Sequence, residues 1–129
     1  MILADTSAWV EYLRKTGSEA NLRLRALLER DELAITDVVI MEVLAGARDS
    51  RHHDRLQRLL GRCAYVRTHA PGDFEHAAEI AARCRRAGSS VRQFTDCLVA
   101  AVAIRTDASV LHVDRNFEAI ARHAPLALD

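Results

Sequence analysis

The chain has 129 residues, 50% of them hydrophobic and only 5% aromatic, which suits one domain whose core is built from Leu, Val, Ile and Ala. Eighteen basic and eighteen acidic side chains cancel, so no whole-molecule field draws the chain to a polyanion, and any nucleic-acid binding has to be local. No run of eighteen apolar residues occurs, and Met1 leads straight into an apolar stretch, so neither a membrane span nor a signal peptide is expected.

In chain order, ILA at 2 to 4 reads as a short strand ending on Asp5, and Ser7 to Arg14 as a helix. Ser18 to Glu29 places Leu22, Leu24, Leu27 and Leu28 among Arg and Glu, a second helix. LAIT at 33 to 36 is a strand, followed by the helices Val38 to Ala47 and Arg51 to Leu60, broken near Asp49 and Ser50. AYV at 64 to 66 is a strand. After the turn APGD at 70 to 73, an Ala-rich helix starts at Asp73, places apolar residues at Phe74, Ala77, Ala78, Ile80, Ala81 and Cys84, and stops at Gly88. Thr95 to Ile104 is almost wholly apolar, so that helix should be buried on most sides. SVLHV at 109 to 113 is a strand that runs into Asp114 and another helix, and LAL at 126 to 128 is a weak last strand. This alternation predicts an α/β fold, a parallel sheet covered by helices, over residues 1–129 as a single domain.

Cys63, Cys84 and Cys97 are odd in number, form no C-x-x-C pair and sit among apolar neighbours, which suits reduced packing residues in a cytoplasmic protein. Seventeen of the eighteen basic residues are Arg, Lys15 being the exception, and Arg can grip a phosphate with two hydrogen bonds at once.

In an open parallel sheet the functional crevice lies beyond the carboxyl ends of the strands, which singles out four acids. Asp5 and Asp114 each end an apolar strand just before a helix; Asp96 opens the buried helix in QFTDCLVAA; Glu42 lies inside Val38-Val-Ile-Met-Glu-Val-Leu-Ala. Each has a plainer role open to it. Asp5 and Asp114 can cap the helices that follow them, and Asp96 can complement a helix dipole. Glu42 is harder to dismiss, because no partner stands at helical spacing and a buried, unpaired carboxylate costs several kcal/mol, so something charged should meet it. Convergence of all four acids would demand a cation among them, and oxygen ligands without His or Cys select Mg2+ or Mn2+ over zinc. Such an ion activates water and neutralises a phosphate under attack, so the coherent chemistry is metal-dependent phosphoester cleavage.

The segments ILADTSAWVEYL, ITDVVIMEVLAGA, TDCLVAAVAI and VLHVDRNFEAIA together resemble PIN-domain ribonucleases, specifically the VapC toxins of bacterial VapBC toxin-antitoxin pairs. They fall in the family's order across nearly the whole chain. The resemblance implies a three-layer α/β/α fold with a five-stranded, mainly parallel sheet and an acidic pocket of Asp5, Glu42, Asp96 and Asp114. It implies Asp5 and Asp96 as direct Mg2+ ligands, with Mn2+ as the substitute, and Asp114 and Glu42 acting through water, on a second ion, or on the attacking water. Ser7 matches the hydroxyl position of the first motif and Asn116 is a further pocket candidate; both rank below the acids, since either can be a plain helix cap. The implied activity is that of an endoribonuclease, the toxin of a type II pair, leaving 5'-phosphate and 3'-hydroxyl ends. Arg14, Arg48, Arg92 and Arg115 are its candidate RNA-gripping residues. The implied partners are RNA, a VapB-type antitoxin that delivers a basic side chain to the pocket, and a second copy of the chain in a homodimer.

Other residues look chemical on less evidence. His52 and His53 point to different faces of a helix and read as a solvated pair. Strand alternation puts His112 on the face of Asp114, within approach of the pocket, with a packed strand histidine as the plainer reading. Gly46 inside a helix suggests close approach of another backbone. Trp9, Tyr12, Val10 and Leu13 form either core or a groove for a partner helix. A haloacid-dehalogenase-type phosphatase would need Asp where Ser7 stands, and a receiver domain needs a late lysine, whereas the only lysine is Lys15. The remaining alternative is a PIN-like binding module that keeps the acidic pocket without catalysis.

Overall fold

The computed structural model describes residues 1–129 and contains five strands: β1 (Ile2–Ala4), β2 (Leu33–Thr36), β3 (Ala64–Val66), β4 (Ser109–Leu111) and β5 (Ala127–Leu128). Between them lie α1 (Thr6–Leu13), α2 (Glu19–Glu29), α3 (Asp37–Ala45), α4 (Ser50–Leu60), α5 (Gly72–Arg86), α6 (Phe94–Thr106) and α7 (Arg115–His123). The strands pair in the order β3-β2-β1-β4-β5, and every pairing is parallel. Parallel neighbours need crossovers, and right-handed crossovers put α1 to α4 on one face of this sheet and α5 to α7 on the other. The packing follows that division: α1 lies on α2 and α3, α3 on α4, and α5, α6 and α7 on one another. The expected three-layer α/β/α architecture is therefore the observed one. α3 also packs against α6 across the layers, which brings the helices carrying Glu42 and Asp96 together.

From β1 the chain moves to β2 and β3 on one side, then crosses back past β1 to β4 and β5 on the other. The crevice between the ends of β1 and β4 is thus the topological switch point, where α/β proteins place their ligands.

Burial explains the local choices. All four residues of β2 are buried, and so are Cys97 and Val99 to Ala103 of α6, as its unbroken apolar pattern predicts. Trp9 is fully buried and meets Tyr12 edge-on with ring centroids 5.9 Å apart, so it belongs to the core and not to a partner groove. The three cysteines are buried and unpaired, and burial pushes the Cys63 and Cys97 thiols up to about 11, which keeps them protonated and unreactive. At the end of α5, Gly88 at φ +81° lets its own N–H reach the Arg85 carbonyl and that of Ser89 reach Cys84, a Schellman closure. Arg105 of α6 grips the buried Asp73 of α5 at 2.9 Å and also donates to the Arg67 carbonyl, locking the turn before α5 to the neighbouring helix. That contact holds the Asp73 carboxyl below the usual carboxylate range despite its burial.

Three expectations shift at element ends. β4 stops at Leu111, two residues short of the apolar run, so strand alternation no longer applies to His112. α3 ends at Ala45, which makes Gly46 its C-cap at an ordinary φ of −83°. A Cβ there would meet only the Val43 carbonyl of the same helix at 3.4 Å, so no second backbone approaches. β5 is two residues long, a short edge that offers little to foreign strands.

Candidate active site

Asp5 follows β1 directly and is both an N-cap and a member of an acidic group. Its N–H donates to the Leu111 carbonyl at the end of β4, at 2.9 Å, which fixes it at the switch point. Its Oδ2 accepts from the Ser7 N–H at 3.0 Å and from the Ser7 hydroxyl at 2.7 Å. Ser7 Oγ in turn accepts the Val113 N–H at 3.1 Å, so one hydroxyl ties the loop after β4 to the first acid. Asp114 caps α7 in the same way, its Oδ1 accepting the Asn116 N–H at 2.9 Å. Asn116 then turns its side chain the other way, and Nδ2 donates to Asp96 Oδ2 at 2.8 Å. Ser7 therefore touches the acid two residues before it, and Asn116, a further pocket candidate, touches Asp96.

Glu42 corrects the expectation attached to it. It is half-buried, not sealed in an apolar helix, and its partner is neutral: the Thr6 hydroxyl donates to Oε1 at 2.9 Å across 36 residues of sequence. Thr6 carries no sequence signal beyond its place after Asp5, since its partner lies on another βα unit.

All four acids follow one pattern. Each has one oxygen engaged by a neutral donor and its second oxygen without a protein donor. No Lys, Arg or His pairs with any of them; the chain's ion pairs are Arg23–Asp129, His53–Asp54 and Arg105–Asp73. Asp5 and Asp96 are 3% and 5% exposed, yet their second oxygens are not among the sealed polar atoms that lack partners, which are Trp9 Nε1, Asn21 Oδ1 and His123 Nε2. The free oxygens are therefore not sealed from solvent.

The electrostatics follow from that geometry. Burial pushes the Asp96 carboxyl up to about 6, the Asn116 amide pulls it back, and the charges of Asp5, Asp114 and Glu42 push it further up. The charges of all three other acids thus reach Asp96. No three His, Cys, Asp or Glu side chains are gathered so that they could hold a metal ion by themselves. A donor set of hard oxygens with at most two direct ligands fits a cation that keeps much of its water, as Mg2+ does.

Beside Glu42 a cleft of about 350 Å³ opens between α1, α3 and α4, with Thr6, Val10, Arg14, Arg48, His52 and Leu56 on its walls. Arg14 and Arg48 thus share a cleft with Glu42, whereas Arg92 and Arg115 are exposed residues next to the starts of α6 and α7 and do not line that cleft. His52 accepts the Arg48 N–H at Nδ1, 3.0 Å, and His53 faces Asp54 at 3.7 Å, so the pair shares no ligand direction. His112 packs on Phe117 with centroids 5.3 Å apart and lines a different cleft with Glu19, Arg23 and Asp129. The packed reading of His112 is the one the structure supports. Asp37, at the end of β2, is a strand-end acid with a structural role: it accepts the Tyr65 hydroxyl at 2.5 Å and the Thr68 N–H at 2.7 Å, joining β2 to β3.

Fold and site define the class: a parallel α/β/α protein with half-engaged carboxylates beyond the switch point of its sheet. The PIN domain family matches residues 2–123. VapC ribonuclease Mb1587 of Mycobacterium bovis is 45% identical over 124 residues, 95% of this chain and 92% of that protein. Ribonuclease VapC11 of Mycobacterium tuberculosis matches to the same extent, 45% identical over 95% of this chain and 92% of its own. Among solved structures, VapBC2 from Rickettsia felis, bound to a promoter DNA fragment, superposes with a TM-score of 0.76 at 22% identity, covering 100% of this chain and 98% of that one. DNA-bound VapBC from Salmonella typhimurium gives 0.76 at 20% identity, covering 99% and 96%. The chain belongs to the PIN-domain family, among its VapC ribonucleases.

Proposed function

We propose that this chain is a divalent-cation-dependent endoribonuclease, the toxin of a type II toxin-antitoxin pair, with Asp5, Glu42, Asp96 and Asp114 as its catalytic acids. The observation that carries this reading is the shared state of the four carboxylates: one oxygen fixed by a neutral donor, one free, and no cation of the chain among them. Asp5 and Asp96 are the direct ligands, for Mg2+ in the first place and Mn2+ as its substitute. A cation bound there lowers the pKa of a water and neutralises charge on the scissile phosphate.

The chain's own residues do the positioning. Thr6 holds Glu42, and the Asn116 N–H holds Asp114, so that both present a fixed acceptor oxygen toward a water approaching phosphorus in line. Asn116 also stabilises the ionised form of Asp96, which keeps that carboxylate available near neutral pH. Arg14 and Arg48, on opposite sides of the cleft, grip flanking phosphates.

We read residues 1–129 as one domain working in the cytoplasm; no helix is long and apolar enough to cross a membrane. Its partners are RNA, a VapB-type antitoxin seated over Val10, Leu13 and Leu56 with a basic side chain in the pocket, and a second copy in a homodimer. The test is cleavage of a total RNA pool with and without Mg2+ by antitoxin-free protein, beside Asp5→Ala and Asp96→Ala. Metal-dependent cleavage by the wild type alone is the expected result. Absence of cleavage would leave the acidic-pocket binding module, and equal activity in the variants would expose a contaminant.

A further inference from the structure

We propose that a stripe of arginines on α4, Arg51, Arg55 and Arg58, is the track along which the RNA backbone reaches the acidic pocket. This rests on the ribonuclease reading above and adds the surface that reading lacks. The three residues stand at i, i+4 and i+7, so at 100° per residue they fall within about 60° of arc and form one line about 10 Å long. Arg48 precedes the helix and Arg62 follows it by two residues, which extends the basic line at both ends. All five are exposed.

Several observations set this stripe apart from an ordinary solvated face. None of the five arginines is in an ion pair, although the chain as a whole is electrically balanced. The two nearest acids are otherwise engaged: Asp49 caps α4 by accepting the His52 N–H at 2.8 Å, and Asp54 faces His53. Arg62 donates to the Leu28 carbonyl at 3.4 Å and Asp49 feels the charges of Arg48 and Arg55, but no guanidinium of Arg48, Arg51, Arg55 or Arg58 makes a hydrogen bond. The opposite side of α4 buries Leu56 and Leu60 in the core, which anchors the helix and fixes the direction of the stripe. The stripe also has a destination. Arg48, at its amino-terminal end, lines the cleft that holds Glu42 and Thr6, with Arg14 on the facing helix.

A polyanion with regularly repeated phosphates matches such a line. A stacked strand advances about 3.4 Å per phosphate, so about 10 Å of helix spans roughly three phosphates, and arginine binds each in a forked geometry. Contacts of this type hold and orient a strand without reading its sequence. In a chain of zero net charge they account for how RNA is held near four carboxylates that would repel it.

The experiment measures binding apart from cleavage. A fluorescein-labelled single-stranded RNA of mixed sequence is titrated by anisotropy in EDTA over a range of KCl concentrations. Wild type is compared with the triple variant Arg51→Gln, Arg55→Gln, Arg58→Gln. A control triple, Arg83→Gln, Arg85→Gln, Arg86→Gln, removes the same charge from the exposed end of α5. The stripe variant should bind at least ~10-fold more weakly, and its slope of log affinity against log salt should be shallower by about 2, at ~0.7 per phosphate lost. The control should keep the wild-type slope. In Mg2+, the stripe variant should show a raised KM with kcat within about twofold of wild type.

An unchanged slope in the stripe variant, with wild-type circular dichroism, overturns the track while leaving the ribonuclease reading intact. Equal slope losses in both triples also overturn it, by reducing the effect to net charge. Loss of binding to a labelled polyglutamate peptide without loss of RNA binding assigns the stripe to an acidic protein partner, again against the proposal. Because the slope needs no turnover, it judges the track even in a preparation where no RNA is cleaved.

Discussion

Replacing Asp96 by Asn should stabilise the metal-free protein at neutral pH, although it removes one of the four carboxylates proposed to be catalytic. Asp96 titrates at about 6 in the folded chain, against 3.8 for an ordinary aspartate, because it is buried and faces Asp5, Asp114 and Glu42. A folded pKa above the unfolded one means that the group's contribution is fully present below pH 3.8 and is lost as the pH rises through about 6. The shift corresponds to an upper bound of about 3 kcal/mol at 1.36 kcal/mol per pKa unit, and about 2 kcal/mol with one oxygen open to solvent. Asn cannot ionise and still accepts from Asn116 through its own oxygen, so the variant escapes that loss. For a chain of this size about 2 kcal/mol moves Tm by roughly 6–10 °C. Thermal unfolding in EDTA should therefore show Asp96→Asn above wild type by that margin at pH 7.5 and level with it near pH 4. The carboxyls of Asp37, Asp49, Asp73 and Asp129 are held low, so their contributions fade only in more acid solution and cancel between the two proteins. Saturating Mg2+ should raise the wild type and not the variant, because only the charged pocket gains from the cation. Equal Tm values at pH 7.5 in EDTA, or a wild type more stable than the variant there, would refute the clustered-charge account.

Thr6→Val removes the hydroxyl that holds Glu42 and keeps the shape, so kcat for RNA cleavage should fall about 10- to 100-fold, while Thr6→Ser restores most of it. A Ser variant as slow as Val would show that Thr6 matters for packing alone. Asn116→Ala withdraws the donor that lowers the Asp96 pKa, so the acid limb of the kcat/KM profile should move to higher pH; an unmoved limb would detach Asn116 from Asp96. Arg105→Ala leaves Asp73 buried without its cation and should cost about 3 kcal/mol, read as a lower urea midpoint, and Asp73→Asn in the same background should recover part of it.

Much of the fold can be read from the chain because its local signals agree with one another. The strands β1, β2 and β3 coincide with ILA, LAIT and AYV: the first two bury their apolar runs between amphipathic helices, whereas AYV forms an exposed edge strand. The unbroken apolar stretch of α6 could only be an interior helix, and it is one. Reading fails where the decision belongs to distant residues. Val113 looks like strand, but its N–H is taken by Ser7, 106 residues away, and β4 has already ended. Gly46 sits within an apolar helical pattern, yet α3 has closed one residue earlier. Asp5 and Asp114 can be singled out from sequence because each stands just before a helix that follows an apolar run, whereas the Thr6 to Glu42 contact joins elements 36 residues apart and leaves no local trace.

The first acid also shows why capping and catalysis are not rival explanations at such a site. A carboxylate has two oxygens, and an N-cap needs only one of them. Asp5 caps α1 with Oδ2 and Asp114 caps α7 with Oδ1, which fixes each side chain's rotamer without help from any ligand. In a parallel sheet the residue between strand and helix lies at the carboxyl edge by construction, so the cap that starts the helix also aims the other oxygen into the crevice. Asp96 and Glu42 reach the same half-engaged state through Asn116 and Thr6, donors borrowed from the two capped helices α7 and α1. If this coupling is the organising feature, Ser7→Ala should loosen Asp5 in the metal-free protein and weaken cation binding. Asp5→Ser should preserve the cap and Tm while abolishing cation binding, as titration calorimetry can measure. A cation affinity unchanged by Asp5→Ser would separate the two roles and remove Asp5 from the ligand set.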